Sequence, residues 1–329
     1  MCNSPCRHLH HRALAALLAI VFAAPALAQT TFEFLSTEAA AKVLSTQDEY
    51  VRATGDLERQ AKTRSTQSVS QEAYAIAIGQ TAKDWTLDER SRIEAELPAL
   101  GAFINQVRWD KPAKLSFIRA SAALEDNLPH TRANAIVLPD SAFSMPRAMF
   151  SSMLVHEVFH VLTRHNPQFK EQSYRHIGFE LCNTVRLSAQ IEQLKITNPD
   201  TPVSQHTISV RYKGRDVHAL PFIGFESATI DTATGFIGKL KVRWLTVERA
   251  NNVCTLNATT LAEHSADPVN LDGLFEKVGG NTDYLFHAEE ILAENFAAIY
   301  MSDLGAKHVN AYRSPKLLQS LRSLWLKPQ

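Results

Sequence analysis

Residues 153–162 read Met-Leu-Val-His-Glu-Val-Phe-His-Val-Leu, and the reading of the fold turns on them. Within them, H-E-x-x-H sets His156 and His160 four residues apart. On an α-helix, positions i and i+4 share a face, so both imidazoles can reach one ion. Zinc suits two neutral imidazoles plus a carboxylate, with a fourth position left for water. Glu157 is turned around the helix from the two histidines, where it can take that water's proton without binding the metal. The uncharged flanks suit a buried helix, and Met149, Met153, His156 and His160 fall along one helical stripe. The competing reading is a core helix with two satisfied histidines.

The helix should run from Arg147 to His165, after the start cluster Ser144–Pro146 and before Pro167. Upstream, Lys114–Arg119 and Ala133–Leu138 read as short strands, the second closed by Pro139-Asp140. Ala135-Ile136-Val137-Leu138 is either a plain core strand or a sheet edge that pairs with an extended substrate.

A zinc site of this kind needs a third protein ligand. The best segment is His287-Ala288-Glu289-Glu290-Ile291-Leu292-Ala293-Glu294-Asn295. Glu290 and Glu294 lie one turn apart on a predicted helix. One carboxylate can bind the ion while the other accepts the second N–H of a ligand histidine. Glu289 points about 100° away around the helix; it is the nearest competitor, and its loss should do little. The alternative is an ordinary solvated acidic face.

The pair HEVFH and EEILAEN resembles the gluzincin group of zinc metallopeptidases. That resemblance implies a zincin-like catalytic core, with Glu290 as third ligand and Glu294 as the acid supporting a ligand histidine. It implies one zinc ion per chain. Two departures are visible: the family often has Asp at the second place, and the gap from His160 to Glu290 is long. The metzincin pattern fails, because VLTRHNPQFK after His160 holds no glycine and third histidine at its spacing. The resemblance covers the two motif helices and the strand before the first.

The texture of the rest predicts an α+β protein. Residues 29–112 read as an N-terminal helical region, and 113–329 as the catalytic region. Within the latter, 168–195 looks largely helical, ending at the turn Asn198-Pro199-Asp200-Thr201-Pro202. A strand-rich insert over about 198–250 then separates the two metal-binding helices. Helix returns over Glu289–Asp303 with Gly305 as its stop, and a last helix begins after Ser314-Pro315.

The first 28 residues read as an address. Arg7 and Arg12 precede an uncharged run from Ala13 to Ala24, then Pro25 and Ala26-Leu27-Ala28. This is the pattern of a secretory signal peptide cut near Ala28, giving a periplasmic or secreted protein. The run is short for a bilayer span, so stable membrane insertion is not expected. Cleavage removes Cys2 and Cys6. Cys182 and Cys254 remain in an oxidising compartment, where a disulfide is the simple expectation and two buried thiols the alternative. The full chain has 329 residues with 34 basic and 34 acidic side chains, a balance that argues against a nucleic-acid partner.

The other histidines, His165, His176, His206, His218, His264, His287 and His308, show no ligand spacing. Tyr212, Tyr284, His206, His218 and His264 are open candidates for an oxyanion donor. The reading is an exported zinc-dependent peptidase acting on peptide or protein substrates through a zinc-activated water with Glu157 as general base. The alternative is an exported, non-enzymatic binding or assembly protein that keeps a zincin fold around a structural zinc. Glu157 counts against it, since a structural site has no use for that carboxylate.

Overall fold

Ala135–Leu138 carries no polar side chain because both of its faces are covered. In the computed structural model, which describes residues 1, 30–123, 125–229, 236–258, 260–305 and 312–328, it is an inner strand of a four-stranded sheet. The strands are β1 (Thr31–Phe34), β2 (Lys114–Arg119), β3 (His130–Arg132) and β4 (Ala135–Leu138), in the order β1-β2-β4-β3. All pairs are parallel except β3 with β4. Successive side chains alternate faces. Leu115, Phe117, Ile136 and Leu138 therefore point into the main core, while Ile118, Ala135 and Val137 face a second cluster. The plain core strand is thus the correct reading of Ala135–Leu138, and the edge belongs to β3.

Helices α1 (Thr37–Leu44), α2 (Glu49–Ala53), α3 (Asp56–Thr63) and α4 (Gln71–Gly79) build that second side. Ala40, Leu44, Tyr50, Val51, Tyr74 and Ile78 supply its apolar surface. Ser36, Asp48 and Ser70 start α1, α2 and α4 by accepting a first-turn N–H, as capping residues do. Helices α5 (Leu87–Glu94) and α6 (Leu97–Gln106) cross to the main core, where Phe103 lies 5.0 Å from Phe296. Residues 30–112 therefore do not stand apart from the rest: they give the sheet a strand and the main core two helices.

After β4 come α7 (Asp140–Ser144) and α8 (Arg147–His165), the helix predicted around H-E-x-x-H, followed by α9 (Pro167–His176). The next stretch departs from the helical reading of 168–195. β5 (Phe179–Leu181) and β6 (Thr184–Leu187) precede the short α10 (Ala189–Glu192). With β7 (His206–Tyr212), β8 (Arg215–Phe225), β9 (Leu240–Ala250) and β10 (Val253–Leu256) they form a second sheet, ordered β5-β7-β8-β9-β10-β6, and β11 (Ser265–Ala266) pairs with β9. The strand-rich insert therefore spans 179–266, not about 198–250. Lys213-Gly214 joins β7 to β8 with both residues at positive φ, the backbone a tight hairpin requires.

Cys182 and Cys254 are disulfide-bonded, with Cα atoms 5.9 Å apart. The bond lies inside the second sheet's own apolar cluster, beside Leu220, Phe222 and Leu245, rather than at its margins. The chain then returns through α11 (Leu274–Val278) to α12 (Ala288–Asp303) and α13 (Pro315–Trp325). Ser314 does not cap α13 through its side chain; its hydroxyl accepts the Gly280 N–H instead. The predicted leader, apart from Met1, and His308 lie outside the described residues. Among the described residues no helix is long and apolar enough to cross a membrane.

Candidate metal centre

Helices α8 and α12 pack face to face through Phe159 and Phe296, whose rings are 5.5 Å apart. Trp325 of α13 sits against both. Burying aromatic surface on three sides fixes how the two helices sit, at about 1.5–3 kcal/mol for each large side chain. The chemistry lies beside these contacts, at His160 next to Phe159 and at Glu290 nearer the start of α12.

There, His156 and His160 of α8 meet Glu290 of α12. One ligand atom of each lies within 4.8 Å of the other two. Glu290 Oε2 is 3.1 Å from His156 Nε2 and 3.8 Å from His160 Nε2. Bonds of about 2.0–2.1 Å in a tetrahedral arrangement put ligand atoms about 3.3 Å apart, so these separations bracket a zinc site. His160 Nε2 is buried and has no hydrogen-bond partner. A buried nitrogen left bare in this way is costly unless something occupies the space it faces. The donor set fits zinc.

Each histidine is held from behind. Glu294 Oε1 lies 2.9 Å from His156 Nδ1, as a supporting acid one turn beyond Glu290 should. Glu289 Oε1 lies 3.1 Å from His160 Nδ1. With both Nδ1 atoms turned to carboxylates, the Nε2 atoms are the ones left to face an ion once their protons leave. Glu289 is fully buried and also accepts the hydroxyls of Thr163 and, at 2.5 Å, Tyr174. The structure thus gives Glu289 contacts in the centre that the sequence reading does not expect. The 100° rotation that takes it away from Glu290's target brings it to the far side of the second histidine.

Glu290's other oxygen accepts Asn198 Nδ2 at 2.6 Å. Asn198 opens the turn read from sequence only as a break, and Asp200 two residues on reaches the same centre. One ligand atom each from Glu157, His160 and Asp200 lies within 4.8 Å of the other two. Sequence reasoning missed Asn198 and Asp200, since nothing in an N-P-D-T-P turn announces contact with a helix 90 residues later.

Glu157 is buried, and its Oε2 has no hydrogen-bond partner. Burial first, then the Asp200 charge, pushes its pKa up to about 8. Burial lowers the histidines, but the surrounding carboxylates outweigh it. His156, bonded to Glu290 and Glu294, rises well above the ordinary range, and His160, facing Asp200, Glu290 and Glu289, rises to about 9. Burial raises Glu290, and the two imidazoles more than reverse that, to about 2. A cluster of acids around two cations is the charge pattern of a site built for a positive ion.

The other sequence candidates have different work. His287 caps α12: its Nδ1 accepts the Glu289 N–H at 3.0 Å, and burial takes its pKa down to about 3, so it is neutral. His206 bonds Glu171, His218 bonds Ser209, His176 bonds Ser320 and His165 lies 3.3 Å from Asp110. Tyr284 is half exposed and packs on Phe286, Tyr212 packs against the main core, and His264 Nα and O are used in backbone bonds beside β11. None of these side chains is among the grouped candidate ligands of the centre, and His287 touches it through the Glu289 backbone. No family model, curated protein or solved structure matches this chain.

Proposed function

We propose that the chain is a zinc-dependent peptidase with a zincin-like core, of the gluzincin kind, acting outside the cytoplasm. His156, His160 and Glu290 would hold the ion, Glu289 and Glu294 orient the two imidazoles, and Asn198 sets the Glu290 carboxylate. The observation that carries this is the bare Glu157 Oε2, buried beside a two-histidine, one-carboxylate set. When bound, zinc supplies Lewis acidity and lowers the pKa of water. Glu157 then does what a free carboxylate oxygen can do at that place: it accepts a proton from the attacking water and delivers it to the leaving amine. The disulfide fits an oxidising compartment.

A second reading keeps the zinc and drops the chemistry. It rests on Asp200, whose carboxylate standing beside His160 would make a closed four-ligand site, the mark of a structural ion. The two are separated by measuring zinc content and the turnover of a mixed peptide library by the parent chain and by Glu157→Gln. The peptidase reading expects both to hold zinc and Glu157→Gln to lose about 100-fold or more in rate. Zinc without turnover in the parent chain, on a library of broad composition, would favour the structural reading.

A further inference from the structure

Asp200 is not merely near the centre; its turn is fastened over it from four directions. Arg164, one helical turn beyond His160, donates through Nη2 to the carbonyls of Pro199 and Asp200 at 3.2 and 3.1 Å. Its Nη1 holds Thr131 and Ala133 of the neighbouring strand segment. Asn198 ties the turn to Glu290. Just before it, Thr197 gives its N–H and hydroxyl to the two oxygens of Glu58, both at 2.9 Å. Glu58 is itself locked by buried Lys62 at 3.0 Å, so the N-terminal helices hold the root of the turn. Finally, Asp200 Oδ1 accepts both the N–H and the hydroxyl of Thr131, at 2.7 and 2.6 Å.

That last pair shows what the carboxylate replaces. Thr131 is the central residue of β3, the antiparallel edge of the four-stranded sheet, and its N–H is the kind of donor an added extended chain would use. One carboxylate therefore covers the edge donor while standing beside His160 and Glu157. We propose that Asp200 is a fourth, displaceable ligand of the ion, and that the Asn198–Thr201 turn is a built-in mask occupying the place of an extended peptide. The inference rests on the metal reading above. It makes the resting chain self-masked but not inert: a peptide reaches the ion when its own main-chain carbonyl takes over Thr131 and the turn lifts, so peptides that compete well with the turn are still turned over.

The test needs no knowledge of the natural substrate. Acetohydroxamate, a small bidentate chelator, binds zinc only where a coordination position is open. Its affinity for the zinc-loaded chain, and the chain's affinity for zinc against a competing chelator, are measured for the parent, Asp200→Asn and Arg164→Ala. Asp200→Asn keeps an acceptor for Thr131, and Arg164→Ala unpins the turn with the carboxylate intact. If the masked state dominates, Asp200→Asn should gain about 10-fold or more in acetohydroxamate affinity. It should lose about 10-fold or more in zinc affinity, as a direct partner of the ion would. Arg164→Ala should gain acetohydroxamate affinity with zinc affinity nearly unchanged. Parent-like values of both affinities in Asp200→Asn overturn the mask and leave the three-ligand site standing. Zinc binding that survives His160→Ala unchanged overturns the metal reading itself, and the mask with it.

Discussion

Replacing Glu289 by alanine is the sharpest perturbation the centre offers, because sequence and structure disagree about it. From the sequence, Glu289 points away from the ion and its loss should matter little. In the structure it is fully buried and receives His160 Nδ1, the Thr163 hydroxyl and the Tyr174 hydroxyl. Removing it takes the acceptor from His160 Nδ1 and the Tyr174 hydroxyl in a buried place, while the Thr163 hydroxyl keeps the His160 carbonyl. One buried unsatisfied group costs about 1–3 kcal/mol and a severed buried ionic contact about 3–5 kcal/mol. The metal-free variant should therefore unfold about 3–5 kcal/mol more easily in denaturant. His160 also loses the bond that fixes its ring and tautomer, which costs about 10–100-fold in metal affinity, or about 1.4–2.7 kcal/mol.

Two comparisons give the experiment its force. Glu289→Gln keeps the shape and one carbonyl oxygen for His160, and the Tyr174 hydroxyl can turn to accept from the new amide, so its losses should be several-fold smaller. Glu294→Ala removes the matching support of His156, but that side chain is 37% exposed, so water can take its place. The expected order of zinc affinity is parent, Glu289→Gln, Glu294→Ala, then Glu289→Ala, read by chelator competition with folding followed by circular dichroism. A Glu289→Ala chain that binds zinc within about 3-fold of the parent and melts with it would refute the reasoning and restore the sequence reading.

Three further outcomes are expected. Metal-free His160 titrates near 9, above the unfolded value of 6.5, so the stability its proton contributes is complete below pH 6.5 and is lost as pH rises through about 9. The Tm of metal-free protein should fall across that window, while zinc binding tightens and releases about two protons per ion; a zinc Kd flat between pH 6 and 8 would count against a charged empty site. Removing the disulfide with Cys182→Ala and Cys254→Ala together should cost about 4 kcal/mol by the chain-entropy model for residues 72 apart, measured by urea unfolding. Lys62→Met strands Glu58 and the Glu125 carboxylate, which sits 2.7 Å from Lys62 Nζ, and should destabilise by about 3–5 kcal/mol, with parent-like unfolding as the contrary result.

What the sequence made legible follows from how local each signal is. The α8 helix, its two histidines and the Glu290–Glu294 spacing are all written within one or two turns, and periodicity exposes them. The disulfide was legible by counting. β5 and β6 were not, because three- and four-residue strands carrying Glu180 and Arg186 have the charge content of a helix surface. β3 was hidden likewise: His130-Thr131-Arg132 has no apolar residue, yet all three are buried, bonded to Asp200, Asp48 and backbone carbonyls. Buried polar groups are where pattern reading fails, since the pattern assumes that polar means exposed.

The same failure explains why the centre is larger than its motif. H-E-x-x-H and its downstream acid bring together two imidazoles and two carboxylates, but they do not say what keeps buried charges of opposite sign in place. That task falls to residues scattered from Glu58 to Glu294, and the turn at 198–201 is where they converge. Thr197 hangs from the N-terminal helices, Asn198 from α12, and Pro199 and Asp200 from α8. A segment tied to three parts of the fold at once cannot move without loosening each of them. Lifting it exposes Glu290, the β3 edge and the side of the centre occupied by His160 and Glu157 in one step. The insert, which the sequence presents as an interruption between two helices, thus delivers between α10 and β7 the turn that, on the proposed reading, would control access to an ion.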